Sequence, residues 1–388
     1  MIPAFLFLAH QASSVPEIVE YPNTNRHSIA IEAIVKLPKL NAAQRFVLSQ
    51  SLNIAVQMTP EYGNRDVLRV LQTGTRFRLY QAADHLRIGL TVDNEDLGPG
   101  LSLLHSVLTG PTFLQDTIKA RRSTIINPWA PAYRGFDSQE TPLERDTMVE
   151  LWQDVMRPKN ITVAISGRFR AHEPSEKWRA MQTGWVYSVP GSLPLSYPLI
   201  AKPPANAPPL LVFDSKPIAI SKESLATYLL AANALGVGKE SAQWLVAREG
   251  LNLSYRQESF LLPTAEGWRF RMAFATDGAG AAAQAITELR TKLRAKCEAM
   301  TQQDLDHAVG LGRGYLMNQM PTLPLLLGVG EMLSNDENDK LYLRNYWSTS
   351  FGFEWNADAL MLQMRATLLA EFKKLLLKLI DESDVRIY

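Results

Sequence analysis

Two stretches of the chain alternate apolar and polar residues at the period of a half-buried strand, HLRIGLTV (85–92) and WRFRMAFAT (268–276). NITVAISGRF (160–169) predicts a further strand that ends in a glycine turn. ALMLQMRATLLAEFKKLLLKLI (359–380) carries a broad apolar face at helical spacing, with Lys373, Lys374 and Lys378 on other sides. The alternating stretches sit in matching surroundings. From Val67 and again from Ala242 the chain runs through a helix end, a glycine (Gly74 or Gly250) and an alternating strand. A turn, a second strand, an aspartate-containing loop and an amphipathic helix follow. The second copy has the longer hairpin. Between the copies lies SVPGSLPLSYPLIAKPPANAPP (188–209), too rich in proline for a helix or a central strand. The pattern predicts an α+β protein of two homologous domains, residues 1–187 and 210–388, joined by a linker over 188–209. Each domain is expected to be a mostly antiparallel sheet with helices on one face.

Composition narrows the function classes. A hydrophobic fraction of 46% and a charged fraction of 20% are those of a globular protein. A net charge of +1 gives no whole-chain attraction to nucleic acid or acidic lipid, and no basic run is interleaved with aromatics. Cys297 is the only cysteine, which excludes an intrachain disulfide and a cysteine-based zinc site. No segment reaches the roughly 18 apolar residues of a membrane span. Ile2–Ala9 is a short apolar run before small residues, without a basic region ahead of it. It is either an export signal, which would make the protein periplasmic or secreted, or a short first strand of a cytoplasmic protein.

The familiar catalytic motifs are missing. None of the six histidines has another three to five positions away, so no helix offers two imidazoles one turn apart to a metal. LGVGKES (235–241) lacks P-loop spacing and follows a helix rather than a strand. DGAGAAAQA (277–285) reads as a tight strand-to-helix turn. The basic clusters KARRS (119–123) and RTKLRAK (290–296) read as solvated helix faces.

One segment leaves two readings open. In LVAREGLNLSY (245–255), Arg248 closes a helix, Gly250 turns the chain and Tyr255 enters a strand. As packing, Arg248 complements a helix dipole, Gly250 caps the helix and Tyr255 is a half-buried strand aromatic. As chemistry, the guanidinium and phenol grip a peptide backbone.

The twofold repeat, the linker and NALGVGKESAQWLVAREGLNLSY (233–255) together resemble the insulinase and pitrilysin superfamily of zinc metallopeptidases, most closely its processing-peptidase-like branch. PKNITVAISGRF (158–169) resembles that family's end-of-domain strand, and GPTFLQDTIKARRSTI (110–125) its helix after a P-x-F turn. The resemblance implies two homologous α+β domains forming half of a hollow chamber. It also implies zinc held by HxxEH on the first long helix and by a glutamate farther along. Here those places are NAAQRFVLSQSLNIAVQ (41–57) and DTIKARRSTI (116–125), and neither contains histidine or glutamate. The second half also looks about one strand short between FDSKPIAI and ESLATYLL, which puts its sheet edge in question.

The resemblance places substrate-binding roles on Arg248 and Tyr255, with Gly236 and Gly238 in a loop near the substrate. It implies no cofactor in this chain, zinc in a homologous HxxEH-bearing partner subunit, and an unfolded peptide as substrate. The expected function is that of a non-catalytic subunit of a heterodimeric zinc peptidase. The alternative is a scaffold of the same fold, a fate that respiratory-complex core proteins similar to this family illustrate.

Overall fold

The computed structural model describes residues 16–56, 77–82, 84–120, 143–181, 209–264, 266–276, 278–316 and 337–387. Its order is β1 (Glu17–Pro22), β2 (Ser28–Lys36), α1 (Ala42–Ala55), β3 (Arg78–Gln81), β4 (His85–Asp93), α2 (Leu97–Thr109), α3 (Gln115–Ala120), α4 (Arg145–Val155), β5 (Ile161–Gly167) and α5 (Glu173–Ala180). The second half continues with β6 (Leu210–Asp214), α6 (Leu225–Gly236), β7 (Ser254–Thr264), β8 (Gly267–Thr276), α7 (Ala279–Glu298), α8 (Gln302–Leu316), α9 (Glu337–Phe351), α10 (Ala357–Arg365), α11 (Leu369–Asp381) and β9 (Asp384–Ile387). The linker up to residue 208, Gly74 and the run Ile2–Ala9 lie outside the described residues, as does 121–125 of the second segment expected to carry a zinc ligand.

The fold is α+β with two sheets, ordered β1-β5-β2-β4-β3 and β7-β8-β6-β9. All described pairings are antiparallel except β1 with β5. The repeat is visible in the strands. HLRIGLTV forms β4, which pairs with β3, and WRFRMAFAT lies in β8, which pairs with β7. In each half the last strand, β5 or β9, returns to pair with the first long strand. Among the described residues the second sheet has four strands to the first sheet's five, and β9 is its edge strand, where β5 of the first sheet carries β1.

Helix α1 starts at an Asn41 capping box: Gln44 N donates to Asn41 Oδ1 at 2.9 Å, and Asn41 N to Gln44 Oε1 at 2.8 Å. It buries Val47, Leu48 and Leu52 against Ile29, Ile31, Ala33 and Val35 of β2, in one core with α2 and α4. On the second sheet Leu211, Phe213, Phe270 and Phe274 meet Leu229 of α6, Leu293 of α7 and Phe372 of α11.

The run 359–380 forms two helices. It breaks at Ala366–Leu368, where Leu368 turns extended (ψ 134°). No proline or glycine marks the break. Both pieces touch α6, but α10 packs on α6 and α8 while α11 packs chiefly on α7, which a single straight apolar face could not do. One expectation needs correction: helices are not confined to one face of the first sheet. Helix α9, from the second half of the sequence, lies on the opposite face: Leu341 packs on Ala30 and Ala164, and Asn345 Nδ2 donates to the carbonyls of Glu32 and Thr162 at 3.3 Å. Strand β2 is therefore buried on both faces.

Candidate substrate-binding site

The segment between α6 and β7 is shaped by two glycines and a bulge. Gly236 is the last residue of α6. A Cβ there would overlap the backbone nitrogen and Oγ of Ser259 on β7. Only glycine lets the helix end lie this close to the strand. Gly236→Ala is therefore expected to cost about 1–3 kcal/mol of stability, the usual penalty of overpacking. Urea denaturation reads it, and an unchanged midpoint would show that the strand yields freely. Gly238 turns with φ +80°, and its carbonyl accepts from Ser241 Oγ at 2.8 Å. Ser241 Oγ in turn accepts from Trp244 N at 3.3 Å, capping the next helical segment.

That segment, Trp244–Gly250, is wound as a π-helix, a form often found at functional sites. Its end departs from the packing reading. The left-handed residue is Asn252 (φ 49°), not Gly250. Leu253 N donates to Ala247 O at 2.7 Å, turning the chain into β7. Strand β7 then opens with a register shift between Ser254 and Arg256. The extra residue is Tyr255, and the bulge turns it outward. It is 63% exposed rather than half-buried. The Arg248 guanidinium stacks 3.6 Å from the Tyr255 ring centroid, and its Nη1 donates to Asn252 Oδ1. The structure thus brings together the two residues that the sequence singled out. Stacking uses the face of the guanidinium and leaves in-plane N–H donors and the phenol directed to solvent.

A second feature was not legible. Glu258, three residues beyond Tyr255, accepts from Arg256 Nε at 3.0 Å through Oε1, while its buried Oε2 has no partner among the described residues. Burial pushes its pKa up to about 7. The folded state then holds a proton that the unfolded chain releases between pH 4.5 and about 7. Stability therefore falls as pH rises through that window, by on the order of 3 kcal/mol. Glu258→Gln is expected to flatten this dependence and to be the more stable protein at pH 8. Denaturation curves at pH 5 and pH 8 decide it, and parallel losses in both proteins would refute it. A charged pair at strand spacing was the available signal, but its burial depends on tertiary packing.

The polar side chains of α1 include Gln44, Ser49, Ser51 and Asn53, amides and hydroxyls. This donor set does not fit a zinc ion, which takes imidazole, thiolate or carboxylate. Among the described residues no three His, Cys, Asp or Glu side chains converge on a metal-sized site. Nor, among them, is any helix long and apolar enough to cross a membrane. The basic stretch RTKLRAK is tied down on α7: Arg290 Nη2 donates to Ser383 O at 2.9 Å, and Arg294 pairs with Asp381 and Glu298.

No family model matches this chain, and no curated protein matches its sequence. Solved structures do match, over nearly its whole length. A peptidase M16 inactive domain from Pseudomonas fluorescens superposes with a TM-score of 0.68 at 14% identity, over 97% of this chain and 95% of that one. A protease from Helicobacter pylori gives 0.67 at 13%, over 97% of both chains. An insulinase family protease from Yersinia pestis, so named by prediction, gives 0.56 at 13%, over 100% of this chain and 95% of that one. With its two sheets and the helices packed on them, this chain has the α+β fold of the M16-like, insulinase-type peptidases.

Proposed function

We propose that the chain is a non-catalytic, substrate-binding subunit of a heterodimeric zinc peptidase. Its halves, divided at the 188–209 linker, form one side of a chamber. A homologous HxxEH-bearing subunit forms the other side and holds the zinc. An unfolded peptide lies between them, held by Arg248 and Tyr255 beside the Gly236–Gly238 loop. The observation that carries this reading is the Arg248–Tyr255 stack, presented to solvent by a bulge on a chain whose α1 lacks zinc-type donors. A guanidinium donates two hydrogen bonds to a peptide carbonyl, and a phenol stabilises the oxyanion formed beside a partner's zinc. The matching inactive M16 domain of P. fluorescens supports a peptidase-like chain without its own catalytic centre.

One observation favours a second reading. Arg248 is already engaged by Asn252 and Tyr255, as a residue that only holds a turn would be. On that reading the chain is a scaffold with no peptidase role. Light scattering after mixing with the HxxEH-bearing homologue of the same organism separates the two. The subunit reading expects a stable one-to-one complex. Two unassociated chains would sink it.

A further inference from the structure

The bulge exposes Tyr255, but the winding of the segment before it decides where Arg248 points. On an α-helix, side chains meet at spacings of three and four residues. Trp244–Gly250 is wound instead in i→i+5 turns, and two features of its sequence match that winding. Trp244 Nε1 donates to Glu249 Oε1 at 3.0 Å, across five positions. That spacing is one π turn and is not a facing pair on an α-helix. Gly250 stands five positions beyond Leu245, and a Cβ there would sit 3.2 Å from the Leu245 carbonyl oxygen. A glycine therefore leaves room for the wide turn to close.

The winding is not favoured by everything around it. Gln243, which leads into the segment, is fully buried, and neither polar atom of its side chain has a hydrogen-bond partner among the described residues. Unpaired buried polar groups are costly, so the π turn persists against a local penalty and needs contacts that hold it. Val246 and Ala247 anchor the inner side in the core. On the outer side, Trp244 is half-buried and Glu249 exposed, and their bond spans the turn. Arg248 lies inside that span. Rewinding the segment as an α-helix would close each turn one residue earlier and carry Arg248 around the axis, away from the Tyr255 ring that it now stacks on at 3.6 Å.

We propose that Trp244 and Glu249 are positioning residues of the peptide-binding site: their bond holds the π turn that lays Arg248 on Tyr255. The assignment rests on the peptide-binding reading above. Both residues act through Arg248 and make no contact of their own with the peptide.

Surface plasmon resonance of the full chain over immobilised casein, an unfolded polypeptide of mixed sequence, tests it. Arg248→Ala should weaken binding at least about 10-fold, as expected for hydrogen bonds from a charged donor. Trp244→Phe, which keeps an aromatic ring, and Glu249→Ala should each weaken it by about 3- to 10-fold. Glu249→Gln keeps an acceptor for the indole N–H and should recover most of that loss. In the Arg248→Ala background, Trp244→Phe should add less than about 2-fold, because residues that act through one contact are not additive. Full additivity in that background, or wild-type binding by both Trp244→Phe and Glu249→Ala, overturns the positioning assignment and leaves the peptide-binding reading standing. Wild-type binding by Arg248→Ala, or no binding by the wild-type chain, overturns both.

Discussion

Replacing Arg87 with methionine is expected to cost about 3–5 kcal/mol of folding free energy at pH 7, the penalty of leaving buried charge uncompensated. Arg87 is 4% exposed on β4 and serves two carboxylates. Its Nε and Nη2 donate to Glu32 at 2.9 and 2.6 Å, and its Nη1 lies 2.7 Å from Asp339 of α9. Glu32 sits in the middle of the otherwise apolar β2, facing Gly89, where a side chain would overlap its carboxylate. The Arg87 guanidinium also stacks 4.4 Å from the Tyr342 ring. Without the arginine, Glu32 loses the guanidinium bonded to it, while Asp339 keeps Arg78 at 3.3 Å. Burial already raises the Glu32 pKa, so in the variant Glu32 is driven further toward its protonated form. The loss should therefore shrink as pH falls. Urea denaturation across pH measures this, and a loss below about 1 kcal/mol would mean that the pair is not a net structural link. Because Asp339 belongs to the second half and Glu32 to the first, the wild-type chain should also unfold in one transition.

The other large effect concerns function. In a complex with an HxxEH-bearing partner, Arg248→Ala and Tyr255→Phe are expected to lower peptide cleavage by about 100- to 1,000-fold, the range for losing one oxyanion-type contact. Stability should hardly change, since an exposed cation–π stack is worth only about 0.5–1 kcal/mol. Tyr255→Phe is the sharper variant, because it keeps the ring under Arg248 and removes only the hydroxyl. Steady-state rates with a quenched fluorescent peptide, taken beside thermal melts, distinguish a lost contact from a lost fold. Rates equal to wild type in both variants would make the pair a turn-holding device.

What the sequence revealed was local, and what it hid depended on distant contacts. The alternation in HLRIGLTV and WRFRMAFAT reported strands because the apolar positions of each pack in a helix-covered core. The polar positions between them, Arg87 and Arg271, are buried as well, each paired with a carboxylate. Arg248 and Tyr255 stood out because helix, turn and strand follow one another within a few residues. The bulge that exposes Tyr255 left no such mark, since any residue can occupy it and the register shift is set by β8. The placement of α9 on β2 joins residues more than 300 positions apart in the chain, beyond the reach of any local pattern. The break at Ala366–Leu368 interrupts a periodicity that continues through it, because two sets of neighbours, not a helix-stop residue, decide it.

The most direct measurement is cleavage by reconstitution. The purified chain, its HxxEH-bearing homologue and their equimolar mixture would each be given the same quenched fluorescent peptide. The subunit account predicts that neither chain cleaves alone and that the mixture does, with chelation of the partner's zinc abolishing the rate. A mixture no faster than the partner alone would contradict it and leave the scaffold reading in its place.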